Sequence, residues 1–309
     1  MAKPILQRWR IISSLLFLCT FFPLSFFSSP VSAATVAVVI DGDTIMLTDG
    51  TRVRYLGVNT PEHSQPFYEE AKRYNEKLVL HKEVRLAENK PERDAFGRVL
   101  AYVYAGDALV NARLIAEGLG HLFVLGPFEH YEEWLRLQKD AQRQHKGMWH
   151  LGGVSGPLLI TTVHADAAGD DRHNPNGEYV RVCNVSDSSV ELEGFRIQDA
   201  ADHRYVFPEG ILDPGYTALL LSGKGQDVTR RGQLLFHWGN GPIWNNDGDT
   251  ASLFDPSGKP IDSFRVLRRN ERVKATVHPE RSAAKSKGGG VWFLPSAKKI
   301  PLAVAAKVV

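Results

Sequence analysis

Residues 36–62 read VAVVIDGDTIMLTDGTRVRYLGVNTPE, and this sequence predicts the architecture of the first half of the chain. Its apolar residues fall into three short runs, separated by turns that contain Gly42 and Gly50, at 36–40, 44–47 and 52–58. Short apolar runs with Asp-Gly between them are typical of antiparallel strands joined by tight turns. The stretch therefore predicts a three-stranded meander.

A helix is predicted directly after the meander, because apolar residues recur at helical spacing from Phe67 to Leu78. Further strands are predicted at 84–86 and 99–104, and further helices at 110–117 and 131–141. Strands that curl on themselves, with helices packed around one end, are typical of a small OB barrel. We therefore expect residues 34–150 to form an α+β OB-fold barrel with helices.

The second half of the chain has a different pattern. Residues 151–157 are rich in glycine and are predicted to be a linker. Beyond them the helical signal ends, and short β-type runs alternate with turns such as Asn176-Gly177 and Asp213-Pro214-Gly215. This density of turns predicts an all-β, immunoglobulin-like sandwich over residues 158–267.

The first 33 residues have the layout of a secretory signal peptide. A basic start precedes an apolar run at 11–27, and Val31-Ser32-Ala33 is a small-residue cleavage pattern. The alternative is an uncleaved membrane anchor, but Pro23 interrupts a run that is barely long enough to span a bilayer. We expect cleavage near residue 33, no membrane span afterwards, and a secreted, periplasmic or cell-surface protein.

Charge is distributed unevenly along the chain. Beyond residue 264 there are 11 Lys and Arg against 2 Asp and Glu, although the whole chain has a formal net charge of +2. The folded body is therefore acidic, and its bulk charge does not identify it as a nucleic-acid binder. Residues 268–309 are predicted to be a basic, disordered tail. Only Cys183 lies outside the signal peptide, so no internal disulfide is expected.

Three islands in the first domain carry candidate chemistry: residues 41–44 (Asp-Gly-Asp-Thr), 54–62 (Arg-Tyr-Leu-Gly-Val-Asn-Thr-Pro-Glu) and 94–98 (Asp-Ala-Phe-Gly-Arg). Hydrolysis of a phosphodiester gathers negative charge on the phosphoryl group, so it requires cations, a positioned water and a base. The carboxylates of Asp41, Asp43 and Glu62 can hold a hard metal ion and supply the base. Arg54 and Arg98 can clamp the phosphate with forked donors.

Each island alone is more typical of structure than of chemistry. Asp-Gly-Asp is a common turn, and the chain repeats it at 247–249, again followed by threonine, without an arginine strand or a Thr-Pro-Glu turn after it. At that second copy we predict only a turn. A lone arginine is likewise a solvated surface residue by default.

Together, the order and content of the islands resemble the staphylococcal (micrococcal) thermonuclease family, and the resemblance covers residues 36–149. It implies an OB-fold enzyme that uses Ca²⁺ to hydrolyse DNA and RNA and leaves 3′-phosphates. By resemblance, the metal ligands are Asp43, Asn59 and the backbone carbonyl of Thr60.

The same resemblance assigns the catalytic roles. Arg54 and Arg98 match the two phosphate-binding arginines, and Glu62 matches the general base that acts through the attacking water. Asp41 matches an acid that lies next to the metal ligands and does not bind the ion itself.

Two positions depart from the family's prototype. Asn59 stands where the prototype has an aspartate ligand, and an amide oxygen can still bind calcium but without charge. Phe96 stands where the prototype has tyrosine, so its ring can pack on a sugar or base but cannot donate a hydrogen bond. The prototype's other base-contacting tyrosines have no clear counterpart near residues 124–127, so its base preference is not transferable.

Residues 178–184, 207–210 and 244–250 resemble a lamin tail domain, which is an immunoglobulin-like sandwich. These are mostly strand and turn residues, so we interpret them as architecture. By fold analogy, such a domain docks or tethers the enzyme through a cell-surface or protein ligand. Trp238 and Trp244 could instead form a binding surface, but core packing is the favoured interpretation.

The sequence thus favours an exported, calcium-dependent endonuclease with DNA and RNA as substrates and little sequence specificity. One alternative is a non-catalytic nucleic-acid-binding protein, because OB barrels often hold single strands without cutting them. Such a protein would lack an arginine or the acid of the Thr-Pro-Glu turn, and this chain keeps them. A surface-tethering protein in which the sandwich matters most is the third alternative, and it predicts binding without metal-dependent turnover.

Overall fold

The computed structural model describes residues 32–268, apart from 64, 88–92, 95, 127, 151–152 and 240. The predicted signal peptide up to residue 31 and the predicted basic tail beyond residue 268 lie outside the described residues. Strand β1 runs over Ser32–Val39, so it includes two residues that the sequence assigns to the signal peptide. Among the described helices, none is long and apolar enough to span a bilayer.

Five strands of the first half close into a barrel. Strand β1 pairs antiparallel with two different strands. Its first half, residues 32–35, pairs with β5, and its second half, residues 36–39, pairs with β2. Strand β3 pairs with β2, and β6 pairs with β5 and, in parallel, with β3, which closes the ring. The bounds are β2 Thr44–Leu47, β3 Arg52–Tyr55, β5 Glu83–Ala87 and β6 Val99–Ala105. The predicted OB-type barrel is confirmed.

Three helices and a small ribbon complete this half. The helices are α1 Tyr68–Val79, α2 Val110–Ala116 and α3 Tyr131–Arg143, close to their predicted bounds. Each buries one stripe, and the indole of Trp134 on α3 lies fully inside the core. The ribbon pairs β4 (Val58–Asn59) with β8 (His121–Leu122), and β7 (Ala108–Leu109) extends the sheet beside β6.

The second half is all β, as predicted. One sheet has the order β16-β17-β15-β10-β9 and the other β13-β12-β18-β19, with a separate ribbon of β11 and β14. The bounds are β9 Leu158–His164, β10 Tyr179–Asn184, β11 Val190–Glu191, β12 Arg196–Gln198, β13 Arg204–Val206, β14 Ile211–Leu212, β15 Thr217–Leu221, β16 Val228–Arg230, β17 Gln233–His237, β18 Asp249–Phe254 and β19 Pro260–Val266. Ile160, Val182, Phe207 and Leu253 are among the side chains that form its core.

Two predictions about this half can be checked directly. Trp244 is buried in the core, and Trp238 packs against that core with its ring 6.0 Å from that of Trp244, so the core interpretation is confirmed. The second Asp-Gly-Asp copy is a turn that leads into β18, where Asp249 accepts hydrogen bonds from the backbone of Ala200 and Asn245. It is a structural turn.

The nuclease-like half and the sandwich pack directly against each other. Gly215 of the sandwich lies so close to Leu122 of β8 that a Cβ at this glycine would come within 2.6 Å of the leucine Cγ. The backbone of Val124 donates to the Gly215 carbonyl at 2.8 Å. Gln138 of α3 donates to the Val185 carbonyl at 3.0 Å. The two halves therefore form one compact unit, joined across the end of the β4–β8 ribbon.

The predicted linker is packed where it is described. Ser155 Oγ donates to the Ile261 carbonyl at 2.6 Å, and a Cβ at Gly156 would contact the Ile261 side chain at 2.8 Å. Apolar side chains from both halves, including Met148, Trp149 and Cys183, form a small core at the junction.

Candidate active site

The first island is a tight acidic turn between β1 and β2. The backbone N–H of Asp43 donates to Asp41 Oδ1 at 3.0 Å, so the first acid shapes the turn. Between them, Gly42 leaves no room for a side chain, since a Cβ would lie 2.6 Å from Thr60 Oγ1. The glycine therefore allows the Thr60 segment to approach the two acids.

Both carboxylate oxygens of Asp43 are engaged in this buried site. Oδ1 lies 3.1 Å from Arg54 Nε and accepts from the Thr44 hydroxyl at 3.2 Å. Oδ2 accepts from the Thr60 backbone N–H at 2.7 Å and from its hydroxyl at 3.0 Å. Two of these four donors are hydroxyl groups, which can rotate and turn a lone pair toward an ion without backbone movement.

Arg54 is held mainly by protein groups. Its Nη1 donates to the carbonyls of Tyr55 and Val58, and its Nη2 donates to Asn59 Oδ1 at 2.8 Å. With Nε on Asp43, four of the five guanidinium N–H groups have partners. Arg54 therefore braces the turn, and only one N–H remains for a substrate phosphate.

Asn59 lies at the centre of a buried polar chain. Its Oδ1 accepts from Arg54, and its Nδ2 lies 3.4 Å from both the Thr60 carbonyl and His121 Nε2. His121 Nδ1 lies 2.9 Å from the Leu122 carbonyl, which assigns the proton to Nδ1 and leaves Nε2 as the acceptor. Burial lowers the pKa of His121 to about 4, so the ring is neutral.

Arg98 presents more of its guanidinium than Arg54 does. Asp94 Oδ2 accepts from Arg98 Nε at 2.6 Å, and Asp94 Oδ1 accepts from the backbone N–H of Arg98 and of Phe96. Arg98 Nη1 lies 3.5 Å from the Thr44 hydroxyl, next to Asp43. Three N–H groups of Arg98 have no protein acceptor among the described residues. The ring of Phe96 is 53% exposed and lies 5.4 Å from the Arg98 guanidinium carbon.

The Thr-Pro-Glu turn places a buried threonine beside an exposed acid. Thr60 is buried against Asp43, whereas Glu62 is exposed and its backbone N–H donates to Gln65 Oε1 at 2.7 Å. Within the described part of the chain, no donor is bonded to the Glu62 carboxylate. This carboxylate can therefore accept a proton from a water molecule.

Negative charge is concentrated among the three acids. Burial, and then the charge of Asp43, raises the pKa of Asp41 to about 7. Desolvation, and then the charges of Asp41 and Asp43, raises the pKa of Glu62 to about 8. Glu62 is exposed, so solvent limits the desolvation, and repulsion by Asp41 and Asp43 is the cause that its position supports. Mutual repulsion of this kind is what a bound cation relieves.

The donor set fits a hard cation only if neutral oxygens take part. Among the described residues, no three His, Cys, Asp or Glu side chains are grouped as a metal site. An ion beside Asp43 would therefore also need oxygens such as the Thr60 carbonyl and Asn59 Oδ1. Calcium accepts such mixed carboxylate and carbonyl shells.

The structure brings together all the site residues that the sequence predicts, and it adds two. Asp94 lies in the quoted island, and its spacing of four residues from Arg98 was a usable signal. His121 had no sequence signal, because a lone histidine in a short strand is ordinary. Its role becomes visible only where β8 pairs with β4.

A cavity of about 370 Å³ adjoins the Thr60-Pro61 turn on the side of the sandwich. Its walls include Phe67, Met148 and Asp262, and no Lys or Arg lines it among the described residues. The cavity therefore offers no guanidinium or ammonium group to a phosphate, whereas Arg98, beside the acidic turn, does.

Comparisons with known proteins agree with this geometry. The family model described as Staphylococcal nuclease homologue matches residues 52–151, and the Lamin Tail Domain model matches residues 153–267. The first match contains Arg54, Asn59, Glu62 and Arg98 and begins after the acidic turn.

Several relatives are similar to the first half. The thermonuclease of Staphylococcus hyicus is 38% identical over 121 residues, and that of Staphylococcus intermedius is 37% identical over 121 residues. Each alignment covers 36% of this chain and 72% of the relative. An uncharacterized endonuclease of Haemophilus influenzae is 31% identical over 148 residues, which is 47% of this chain and 80% of that protein.

Proposed function

Since this chain belongs to the staphylococcal nuclease family and is a nuclease that hydrolyses phosphodiester bonds, we propose that it is an exported, calcium-dependent endonuclease. The proposal includes DNA and RNA as substrates, little sequence specificity and products with 3′-phosphates. The sandwich that follows it resembles a lamin tail domain and is proposed to dock or tether the enzyme.

The observation that carries the proposal is the partly exposed guanidinium of Arg98 beside the acidic turn. Three of its N–H groups lack protein acceptors in the described part of the chain, while Asp94 fixes its Nε at 2.6 Å. A fork of this kind suits phosphoryl oxygens, whose negative charge grows during hydrolysis. The adjacent ring of Phe96 offers a face for a sugar or base without selecting its identity.

Glu62 is proposed as the general base. Its carboxylate is exposed and lacks a bonded donor among the described residues, and its pKa is raised to about 8. A raised pKa strengthens a base, and a proton acceptor with a pKa near the working pH is effective. Glu62 would take the proton of the water that attacks phosphorus.

Asp43, Asn59 and the Thr60 carbonyl are the residues proposed to hold Ca²⁺. When bound, the ion would offset the repulsion among Asp41, Asp43 and Glu62 and polarise the phosphate. A lower pKa of Glu62 would follow, so the base would be ionised at neutral pH. Asp41, which shapes the turn, keeps Asp43 in place.

Export is proposed from the sequence of the first 33 residues, which has a basic start, an apolar run and a small-residue cleavage pattern. Cys183 is the only cysteine outside this segment, and burial raises the pKa of its thiol well above the ordinary value. A buried, protonated thiol is inert in an oxidising compartment. A secreted, periplasmic or cell-surface location is compatible with these features.

The test is to incubate the purified chain with supercoiled plasmid and with RNA in Ca²⁺, in Mg²⁺ and in a chelator. We expect nicking, linearisation and RNA degradation in Ca²⁺, and none in the chelator. Cleavage that leaves 3′-phosphates also leaves 5′-hydroxyl ends, which a polynucleotide kinase labels without prior dephosphorylation. Tight binding with no metal-dependent turnover would instead support the non-catalytic alternative.

A further inference from the structure

Buried oxygen atoms are gathered at one end of the sandwich, far in the sequence from the acidic turn. The residues that supply them are Asp171, Asn176 and Glu178, in the segment before β10, and Ser222 at the end of β15. The backbone N–H of Ser222 donates to the Glu178 carbonyl at 3.1 Å, so the two segments are in contact.

Glu178 is a fully buried acid with one carboxylate oxygen to spare. Its Oε2 accepts from the backbone N–H groups of Ile243 and Trp244, at 2.8 and 3.4 Å. Its Oε1 is buried and has no hydrogen-bond partner among the described residues. Because Oε2 is fixed by two backbone donors, Oε1 has a defined direction.

Asp171 and Asn176 show the same arrangement. Asp171 Oδ2 accepts from Asn246 Nδ2 at 2.6 Å, and Asn176 Nδ2 donates to the Lys224 carbonyl at 2.9 Å. The second atom of each group, Oδ1, is buried without a partner in the described part of the chain. The bonded nitrogen of Asn176 makes the free atom its oxygen, so both groups present acceptors.

The four groups lie on segments that contact one another, since Asp171 is bonded to Asn246 and Glu178 is bonded to the backbone of Trp244, two residues earlier. A Cβ at Gly223 would lie 2.4 Å from Asn176 Oδ1, which places that oxygen beside the residue that follows Ser222. Burial raises the pKa of Glu178, the Ser222 hydroxyl lowers it and the charge of Asp171 raises it. Asp171 and Ser222 therefore both act on the Glu178 carboxyl.

Within the described residues, the basic side chains nearest to the two acids in the sequence are engaged elsewhere. Arg172 and His173, next to Asp171, pair with Asp170 at 2.9 and 3.4 Å, and Arg181, the nearest to Glu178, donates to Thr217 Oγ1 at 2.8 Å. In the described residues, neither Asp171 nor Glu178 forms a salt bridge. Buried carboxylates without a cation are unfavourable, and buried acceptors without donors add to that cost.

We propose that Asp171, Asn176, Glu178 and Ser222 form a binding site for a calcium ion in the sandwich, independent of the nuclease site. The shell is all oxygen, with two carboxylates, an amide and a hydroxyl, and contains no histidine or cysteine. Hard cations prefer such ligands, and the irregular mixture of neutral and charged oxygens suits Ca²⁺ better than Mg²⁺ or Zn²⁺. The ion ties the segment before β10 to the end of β15.

The test separates this ion from the one proposed at Asp43. Calcium binding is measured by equilibrium dialysis and calorimetry on the full chain carrying Asp43→Ala, and on the same chain carrying Glu178→Gln as well. We expect the Asp43→Ala protein to bind one Ca²⁺. The double variant should bind this ion at least about tenfold more weakly, because it lacks one charged ligand. Glu209→Gln, which removes an exposed acid of the same domain, is the matched control and leaves binding unchanged.

Thermal unfolding supplies a second measurement. The Asp43→Ala protein should unfold at a higher temperature in Ca²⁺ than in a chelator, and Mg²⁺ should give a smaller shift. Asp171→Asn should reduce that shift, so the proposal remains testable if Glu178→Gln does not fold. Equal calcium binding by the Asp43→Ala protein and its Glu178→Gln derivative, or no binding by the former at millimolar Ca²⁺, would overturn the site. Because these readouts do not involve cleavage, they stand apart from the nuclease proposal.

Discussion

Arg54 Nη2 donates a 2.8 Å hydrogen bond to Oδ1 of Asn59, the same oxygen that the family resemblance assigns to the metal. Asn59 Nδ2 is directed at the same time to the acceptor nitrogen of His121. The amide is thus fixed by a donor on one side and an acceptor on the other, an arrangement that a carboxylate could not reproduce. An amide oxygen has two lone pairs, so it can accept from Arg54 and still contact an ion.

Asn59→Asp is expected to lower the calcium concentration needed for half-maximal cleavage by about tenfold, because the site gains a formal charge. At saturating metal the effect on rate should be smaller. The new carboxylate would also face the lone pair of His121 Nε2, so we expect some loss of stability in the absence of metal. Calcium titrations of plasmid cleavage measure the first effect, and superimposable curves would mean that Asn59 is not a ligand.

Arg98→Ala should cost about 3–5 kcal/mol of transition-state stabilisation with little change in the unfolding free energy. Arg54→Ala should lower both the transition-state stabilisation and the unfolding free energy, because four N–H groups of Arg54 bind protein atoms. Cleavage kinetics and urea unfolding of the two variants make the comparison, with the exposed Arg143→Ala as control. Equal stability losses would contradict the different roles that the geometry assigns to the two arginines.

Glu62→Gln is expected to reduce turnover about a hundredfold or more, the usual contribution of a general base. The fold should change little, because Glu62 is exposed and its backbone, not its carboxylate, bonds Gln65. Calcium affinity should change much less than turnover, since the charge that is lost is not one of the proposed ligands. Single-turnover cleavage at saturating Ca²⁺ gives the rate. Glu69→Gln, which removes an exposed acid on α1, should cleave normally. Near-normal turnover of folded Glu62→Gln would remove this residue from the base role.

Asp262→Asn should stabilise the protein at pH 8 by about 1–2 kcal/mol and have little effect near pH 4. Burial raises the pKa of Asp262 to about 6, while its ordinary value is 3.8. Below pH 3.8 both folded and unfolded forms are protonated, and the parent loses stability as the pH rises from there through 6. Asparagine keeps the acceptor for the Ile160 N–H, which Asp262 Oδ2 binds at 2.7 Å. Urea unfolding of the parent and of Asp262→Asn at both pH values measures this. The same stability difference between the two proteins at pH 4 and at pH 8 would contradict the prediction.

Gln138→Ala should destabilise the junction between the two halves by about 1–3 kcal/mol. Its Oε1 accepts from the Leu122 N–H, which alanine would leave buried and unpaired, whereas the Val185 carbonyl would keep its 2.7 Å hydrogen bond from Gln142 Nε2. Differential scanning calorimetry should show the lower unfolding temperature. Gln144→Ala, which changes an exposed glutamine, is the control. If both variants unfold at the same temperature, Gln138 does not stabilise the junction.

The architecture of both halves and the candidate residues of the site can be predicted from the sequence alone. Turn residues spaced along apolar runs specify short strands locally, so the barrel, the sandwich and most helix bounds follow from nearest-neighbour preferences. The proposed roles of Asp43, Arg54, Glu62 and Arg98 rest on three islands whose joint order is far more specific than any one of them. The pairing of the strands, such as the parallel ladder between β15 and β17, does not follow from local turns, because it is set by partners distant in the chain.

The contacts of each polar group become visible only in the three-dimensional structure. It made Arg54 a brace and left Arg98 open, although the two arginines look equivalent in the sequence. It placed His121 against Asn59 through the pairing of β8 with β4, and it seated the sandwich on that ribbon through Gly215. It also brought the unpaired oxygens of Glu178 and Ser222 to one place. The reason is that hydrogen-bond partners and burial depend on three-dimensional proximity, which residue spacing along the chain does not encode.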